Sequence, residues 1–286
     1  MPGCHHGSVR VVTDDGVELA VHDLGGSGPP LVLAHPTGFH GRVFEPLAAA
    51  LAHRFGCWSY DSRGHGDSGR PEVSDYSWHE FAVDVLAVVD GLGLERPSAM
   101  GHSQGGTALL LAEQARPGTF AGLYLYEPVA FPPDEAAASM DEHPLVVGAL
   151  RRRAEFDSVD AAHQHLAPKS ILRDLHPGAL SAYVEHGFRP APGGGVTLKC
   201  RPEDEAQMYR QGRAHDAFSR LAEVACRVTV ARGGSDSAHH SPELADRQVA
   251  LLPAGRLEVF DGLGHLGPLE DPARVAESMA RALLPE

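Results

Sequence analysis

The clearest candidate for chemistry is the pentapeptide Gly101–Gly105, which reads Gly-His-Ser-Gln-Gly. A short strand pattern, Ser98–Met100, precedes it, and an apolar helical pattern, Thr107–Ala115, follows it. Where a strand turns sharply into a helix, a serine at the tip is held in a strained conformation, and flanking glycines leave room for the turn. The helix start aims unpaired N–H groups at the point where negative charge would develop. We therefore predict that Ser103 is a nucleophile and that the backbone N–H of Gln104 is one oxyanion donor.

The elements around this turn alternate between strands and helices. Apolar and β-branched runs predict strands at Val9–Val12, Val17–Leu24, Leu31–Ala34, Phe55–Tyr60, Ser98–Met100 and Leu123–Tyr126. Helical spacing of apolar residues predicts helices at Val43–Arg54, Ser77–Leu92 and Thr107–Ala115. Such alternation indicates an α/β fold, with a mostly parallel sheet and helices on both of its faces.

The alternation stops after Pro128. From there to about Val224 the sequence is helical and irregular, with few strand signals. Strand patterns resume at Arg227–Ala231 and Arg256–Phe260, and a last helical pattern covers Pro272–Leu284. We predict a core formed by residues 1–127 and 226–286, and a helical lid inserted between two strands at residues 128–225.

The serine motif and these elements together resemble the α/β-hydrolase superfamily. The resemblance covers nearly the whole core, at Val9–Leu24, Pro30–Pro128 and Arg227–Leu284. It includes Asp61–Ser68, which matches the family loop D-x-R-G-x-G-x-S and which we interpret as scaffold. The resemblance implies the α/β-hydrolase fold and a catalytic set of serine, histidine and acid. No family motif covers the lid.

In this family the general base is a histidine that follows the last strand. The segment Gly264–Pro272 follows Leu257–Phe260 and is similar to the family signature G-H-x-x-x-x-E-x-P. The chain contains 18 histidines, and only His265 occupies this position. A neutral imidazole there can take the proton of Ser103 and return it to a leaving group.

Two carboxylates compete for the role of the acid that orients this imidazole. Asp236 follows the strand Val228–Ala231, where most of the family places its acid. Glu127 follows Leu123–Tyr126, where some haloalkane dehalogenases and lactonases of this fold place theirs. Either side chain could reach the imidazole because the two strand ends are neighbours in the fold. We favour Asp236 and keep Glu127 as the alternative.

The second oxyanion donor is expected in the segment His35–Gly41, which resembles the family loop H-G-x-x-G. Pro36 stands where glycine is usual. Proline has no N–H, but the donor is normally the next residue, so Thr37 can still serve. The proline makes this loop stiffer.

Four residues are candidates for substrate binding because they lie beside these motifs or at the start of the lid: His35, Phe39, His102 and Phe131. For His35, His65 and His102 a structural role competes with a position in the pocket wall. The lid also carries the run Arg151–Arg153, which is either a solvated helix face or a binding site for a carboxylate.

Composition excludes several classes of protein. The net charge of −14 argues against binding to nucleic acid or to an anionic membrane surface. No apolar run approaches the roughly 18 residues of a membrane helix. The first residues lack the apolar run of a secretory signal, and none of the four cysteines forms a CxxC pair. We expect a cytoplasmic protein without a metal or cofactor, either a monomer or a homodimer.

A serine with a histidine base predicts acyl transfer through an acyl-enzyme. An aspartate at the tip would have indicated epoxide or haloalkane hydrolysis, and Ser103 argues against both. We expect hydrolysis of an ester, lactone or similar acyl bond in a small apolar substrate. Two alternatives stay open. One is a non-hydrolytic or C–C-bond-acting enzyme of this fold, such as a cofactor-free haloperoxidase, perhydrolase or cyclase. The other is a catalytically silent relative that binds a ligand.

Overall fold

The computed structural model describes residues 8–73, 76–133, 140–234 and 241–284. The strands are β1 Ser8–Val12, β2 Glu18–Gly26, β3 Pro30–Ala34, β4 Gly56–Tyr60, β5 Ser98–His102, β6 Gly122–Tyr126, β7 Glu155–Phe156, β8 Phe188–Pro190, β9 Val196–Leu198, β10 Arg227–Gly233 and β11 Gly255–Phe260. The α-helices are α1 Glu45–Leu51, α2 Trp78–Gly91, α3 Gln104–Ala115, α4 Pro144–Leu150, α5 Val159–Leu166, α6 Pro177–Gly187, α7 Pro202–Gln211, α8 Pro242–Leu251, α9 Gly267–Glu270 and α10 Pro272–Leu283.

The main sheet of the described residues has eight strands in the order β1-β2-β4-β3-β5-β6-β10-β11. The pairs β1–β2 and β2–β4 are antiparallel, and every other neighbouring pair is parallel. The carboxyl ends of β5, β6, β10 and β11 therefore meet at one edge, where parallel sheets place their ligand sites. The predicted α/β-hydrolase fold, a mostly parallel sheet between helices, is confirmed.

Helices cover both faces of this sheet. Along β3, Val32 faces a core that contains apolar side chains of α2 and α3. Leu31 and Leu33 face the opposite core, which contains side chains of α1 and α10. Successive side chains of a strand point to opposite faces, so a strand buried on both sides is apolar throughout. The core strands therefore appear in the sequence as continuous apolar runs and not as alternating apolar and polar residues.

The segment between β6 and β10, called the insertion below (residues 128–225), contains α4 to α7. It also contains a small antiparallel sheet in the order β7-β9-β8, which the sequence analysis did not predict. These strands are only two or three residues long, too short for a periodic pattern. Phe156, Phe188 and Leu198 from this sheet pack with the core side chains around α1. The insertion therefore rests on the main sheet unit through apolar contacts.

Within the described ranges, the helices are too short or too polar to cross a membrane.

Candidate active site

Ser103 lies between β5 and α3 with backbone angles φ 54° and ψ −116°. A non-glycine residue adopts this region only where the surrounding structure holds it. The close packing at the turn supplies that constraint. A Cβ on Gly101 would lie 2.5 Å from the Gly106 nitrogen, and a Cβ on Gly105 would lie 2.2 Å from the Ala34 carbonyl oxygen. The two glycines of the pentapeptide are therefore required by the sharp turn from strand to helix.

His265 lies in the loop between β11 and α9, and its Nδ1 is 2.6 Å from Oε2 of Glu127. The Glu127 side chain is fully buried, whereas that of His265 is 20% exposed. The other carboxylate oxygen, Oε1, accepts a hydrogen bond from the Gly233 N–H at 2.9 Å. The carboxylate therefore links the imidazole to the end of β10 and leaves the Nε2 side of the ring directed away from Glu127.

The backbone of Glu127, like that of Ser103, has a positive φ, which is uncommon for a residue with a side chain. Its φ is 45°, and its N–H donates to the Ala231 carbonyl on the neighbouring strand β10. The register pairs His102 at the end of β5 with Tyr126 at the end of β6. Ser103 and Glu127 thus leave adjacent strands at the same level, each with a positive φ.

Asp236, the acid favoured from the sequence, lies outside the residues that the structure describes. Glu127, the alternative, is the carboxylate found at the imidazole. The hydrogen bond of 2.6 Å between Nδ1 and this buried carboxylate fixes which ring nitrogen carries the proton and how the ring is oriented.

The loop that carries His265 is fixed by two side chains. The Tyr126 hydroxyl donates to the Gly264 carbonyl at 2.8 Å, and the Gly264 N–H donates to Oε2 of Glu270 at 2.8 Å. Burial raises the pKa of Glu270. Glu270 is the glutamate of the G-H-x-x-x-x-E-x-P signature, so its contribution here is to hold the main chain one residue before His265.

Neutral histidines hold the loop that contains Thr37. The Gly38 N–H donates to Nε2 of His65 at 3.0 Å, and Nδ1 of His65 lies 3.1 Å from the Arg63 carbonyl. Burial lowers the pKa of His65, which keeps Nε2 free to accept. The Thr37 hydroxyl donates to the side-chain oxygen of Gln104 at 3.3 Å. The two residues predicted to supply oxyanion amides are therefore in direct contact.

Ser103 and His265 both line one cavity of about 370 Å³. Most of its other walls are apolar or aromatic, and they come from the core and from the insertion: Phe39, Trp78, Val129, Phe131, Met140, Leu145, Ile171, Tyr209, Leu244 and Leu266. Polar walls include Thr37, His143, Arg213 and Ser241. Arg213 lies over the Phe131 ring at 4.3 Å. The cavity suits a small, largely apolar molecule.

Two of the four residues predicted to bind substrate lie in this cavity wall, and two do not. Phe39 and Phe131 line the cavity. His35 is fully buried, with Nδ1 2.8 Å from the Pro36 carbonyl and Nε2 accepting from the Ser62 N–H. Both of its nitrogens contact main-chain groups and it does not line the described cavity, so the structure gives no support to the prediction that His35 binds substrate.

His102 is also fully buried and does not line the described cavity. Its ring lies behind His265, with ring centroids 4.9 Å apart. Burial, and then the neighbouring His265, lower the pKa of His102. The structure therefore assigns His102 to the packing that supports the His265 ring, and not to the surface that a substrate would contact.

Sequence reasoning missed several walls. Four cavity walls, Trp78, His143, Ile171 and Arg213, were not predicted from the sequence. All four are brought to the cavity by packing between distant segments, which leaves no local signal. Among the residues that the structure describes, no group of three or more His, Cys, Asp or Glu side chains is arranged to hold a metal ion.

A family model described as "Alpha/beta hydrolase family" matches residues 31–278 of the chain. The chain belongs to the alpha/beta hydrolase family. The match spans the serine turn, the insertion and the His265 loop.

Proteins similar to this alpha/beta hydrolase are named for different reactions. This chain is 25% identical to 2-(acetamidomethylene)succinate hydrolase of Mesorhizobium japonicum over 243 residues. The aligned residues cover 84% of this chain and 82% of the relative. A crystal structure of E-2-(acetamidomethylene)succinate hydrolase has a TM-score of 0.84 and 25% identity, and covers 98% of this chain and 99% of that one. Haloalkane dehalogenase 2 of Mycobacterium tuberculosis is 31% identical over 173 residues, 58% of this chain and 60% of the relative.

A thermophilic esterase from Thermogutta terrifontis shares the fold, with a TM-score of 0.74 and 22% identity over 96% of this chain and 97% of that one. The family match and the relative at 25% identity place the chain among hydrolases, and the type of bond is left to be argued from the site.

Proposed function

We propose that this alpha/beta hydrolase cleaves an ester, lactone or similar acyl bond of a small, largely apolar substrate through an acyl-enzyme. The observation that carries the proposal is that Ser103 and His265 line the same apolar cavity while Glu127 binds the far side of the imidazole. Nucleophile, base and orienting carboxylate are the set that acyl transfer by serine needs.

In the proposed reaction, the Ser103 hydroxyl attacks the substrate carbonyl while His265 takes its proton. The amides of Thr37 and Gln104 stabilise the oxyanion, and the imidazolium then protonates the leaving alcohol. Water, deprotonated by His265, attacks the acyl-enzyme, and the acid product leaves with Ser103 restored. In this second half of the reaction the imidazolium gives the proton that it took from water to the Ser103 oxygen, so the reaction consumes only the substrate and one water molecule.

We propose Glu127 as the orienting acid. Its support is the 2.6 Å contact with Nδ1 of His265, its complete burial and its second hydrogen bond to the Gly233 N–H. The strained φ of 45° is a further argument, because such strain persists mainly where function requires it.

The acyl-enzyme is tested by rapid mixing with p-nitrophenyl butyrate. We expect a burst of nitrophenolate and an added mass of one butyryl group on Ser103 in the quenched protein. Ser103→Ala should remove both and should abolish labelling by a fluorophosphonate probe. Turnover of the ester by Ser103→Ala at the wild-type rate would refute the proposal.

The acid is tested by a pair of isosteric variants. Glu127→Gln should lower kcat by about 10⁴-fold, because a neutral amide cannot stabilise the imidazolium. Asp236→Asn should retain most of the activity. The opposite result, with Asp236→Asn inactive and Glu127→Gln active, would assign the role to Asp236.

A second bond type has specific support. The relative with 25% identity is named for 2-(acetamidomethylene)succinate, which carries an acetamido group. An acylamino substrate would pass through the same acyl-enzyme, with an amine in place of the alcohol as leaving group. Comparing kcat/KM for an acetate ester and the acetamide with the same leaving skeleton would decide between the two bonds.

A further inference from the structure

A second cavity of about 600 Å³ lies beside the one that contains Ser103. The two cavities share five wall residues, Thr37, Phe39, Leu145, Ile171 and Tyr209. Thr37 belongs to the proposed oxyanion site, so the second cavity borders the place where a substrate carbonyl would lie. A substrate that occupies both cavities would have to extend past these shared walls.

The charge of this second cavity is opposite to that of the chain. Its described walls include Arg151, Arg152, Arg153 and Lys169, and the one carboxylate among them is Glu205. The chain as a whole has 38 acidic and 24 basic residues. A concave surface lined by one sign of charge concentrates ligands of the opposite sign. We call these walls the basic cavity.

Only one of the four cations is neutralised within the cavity. Arg152 forms an ion pair with Glu205 and donates to the Tyr183 hydroxyl at 2.5 Å. This answers part of the question left open by the sequence, because Arg152 is half-buried and ion-paired and does not belong to a fully solvated helix face. The ion pair of Arg152 and Glu205 forms part of the wall of the basic cavity.

The other three cations have no such partner in the part of the chain that the structure describes. Among the described residues, no carboxylate pairs with Arg151, Arg153 or Lys169. Arg153 donates from Nε to the Glu155 carbonyl at 2.8 Å, and its guanidinium lies over the Phe156 ring at 4.5 Å, so its position is set by neutral groups. Charge-assisted hydrogen bonds to an anion are the strongest contacts that these side chains can make.

We propose that the basic cavity binds an anionic end group of the substrate, a carboxylate or a phosphate, while the reactive carbonyl lies at Ser103. The inference deepens the proposed function and rests on it. The substrate is then amphiphilic: an apolar part that carries the acyl bond fills the cavity at Ser103, and the charged end lies against Arg151, Arg153 and Lys169.

The test compares two esters that differ only in the far end of the acyl chain. p-Nitrophenyl hexanoate ends in a methyl group, and mono-p-nitrophenyl adipate ends in a carboxylate at the same position. A phosphonate in place of that carboxylate distinguishes the two anion types. We expect wild-type protein to prefer an anionic ester by about tenfold or more in kcat/KM, the value of one charge-assisted contact. The preference should shrink as salt is added.

The double variant Arg151→Gln/Lys169→Gln should lose this preference, so that the ratio of anionic to neutral kcat/KM falls toward one. Charge reversal with Arg151→Glu/Lys169→Glu should invert the ratio. Arg173→Gln is the matched control, because Arg173 is exposed, pairs with Asp174 and does not line the basic cavity. A wild-type ratio near one, or a ratio unchanged in the double variant, would overturn the inference.

The proposed function and this inference fail in different ways. If the basic cavity does not bind an anion, the protein still hydrolyses the neutral ester and still forms its acyl-enzyme. If wild-type protein cleaves neither ester, calorimetric binding of adipate and of inorganic phosphate to wild-type and double-variant protein decides the matter. Binding that is weakened about tenfold or more in the double variant supports the basic cavity, and equal binding refutes it.

Discussion

The carboxyl edge of the main sheet and the insertion build the walls of the same cavity, but their geometry is fixed in different ways. At the sheet edge, Ser103 and Glu127 each donate a backbone hydrogen bond to the neighbouring strand, and the two glycines that flank the Ser103 turn have no room for one extra carbon. In the insertion, the walls Leu145 and Tyr209 come from α4 and α7, which pack through a small apolar cluster of side chains. The sheet edge therefore tolerates little change, whereas the insertion can be altered to suit a different substrate.

Matched glycine substitutions test this contrast with the largest expected effect. Gly105→Ala would bring a Cβ to 2.2 Å from the Ala34 carbonyl oxygen, so we expect a loss of about 5 kcal/mol in the free energy of unfolding, or no folded protein. Gly148→Ala in α4 meets no atom within 4 Å and should gain about 0.5–1 kcal/mol from helix propensity. Urea denaturation measures both. Equal effects would remove the distinction between the two regions.

Buried ion pairs give the next largest difference. Arg63 and Asp84 are both fully buried in the core, and their closest contact is 2.7 Å. Arg63→Met leaves the Asp84 carboxylate buried without its cation and should cost about 3–5 kcal/mol. In the insertion, the Arg152 and Glu205 side chains are 22% and 7% exposed. Arg152→Met should cost only about 1–2 kcal/mol, because water screens the remaining charge.

Thermal and urea unfolding of the two methionine variants, with wild-type protein alongside, gives both values. A larger loss for Arg152→Met than for Arg63→Met would contradict the contrast between a rigid core and a tolerant insertion.

The smallest effect is a change in the pH dependence of stability. Burial lowers the pKa of His40 from 6.5 to about 3. Between these values the unfolded chain binds a proton that the folded protein does not, so the free energy of unfolding falls as pH falls, by about 1.4 kcal/mol per pH unit. His40→Gln should reduce that slope by the same amount between pH 6 and 4.5.

His143→Gln is the corresponding variant in the insertion. The pKa of His143 is also lowered by burial, but its side chain is more exposed, so we expect a smaller change in slope. Unfolding measured in urea at four pH values gives each slope. An unchanged slope in His40→Gln would show that this imidazole is protonated in the folded state.

The sequence was most informative where a few adjacent residues determine the structure. The turn at Ser103 and the loop at His265 carry short motifs whose spacing follows from backbone sterics. The positions of the core strands along the chain follow from their apolar runs. The helix α8 was not predicted, although Ser241 and Pro242 provide the cap and first-turn signals for it.

The acid could not be chosen from the sequence, because Asp236 and Glu127 both follow strands that lie side by side. The choice depends on the reach of a side chain and on the left-handed backbone at Glu127, neither of which leaves a local pattern. The two cavities were also beyond prediction, since their walls join residues from separate helices. Only the three arginines at 151–153 marked the basic cavity in advance, with a solvated face as the competing interpretation.

The junction at Glu127 also matters for protein engineering. Pro128 opens the insertion immediately after the carboxylate that holds His265, so transplanting an insertion from another hydrolase would join foreign sequence to this position. The left-handed backbone at Glu127, with a φ of 45°, aims the side chain toward the imidazole and sends the following chain out of the sheet. In such a chimera, the residues at the splice point, more than the transplanted helices, would decide whether the recombined enzyme is active.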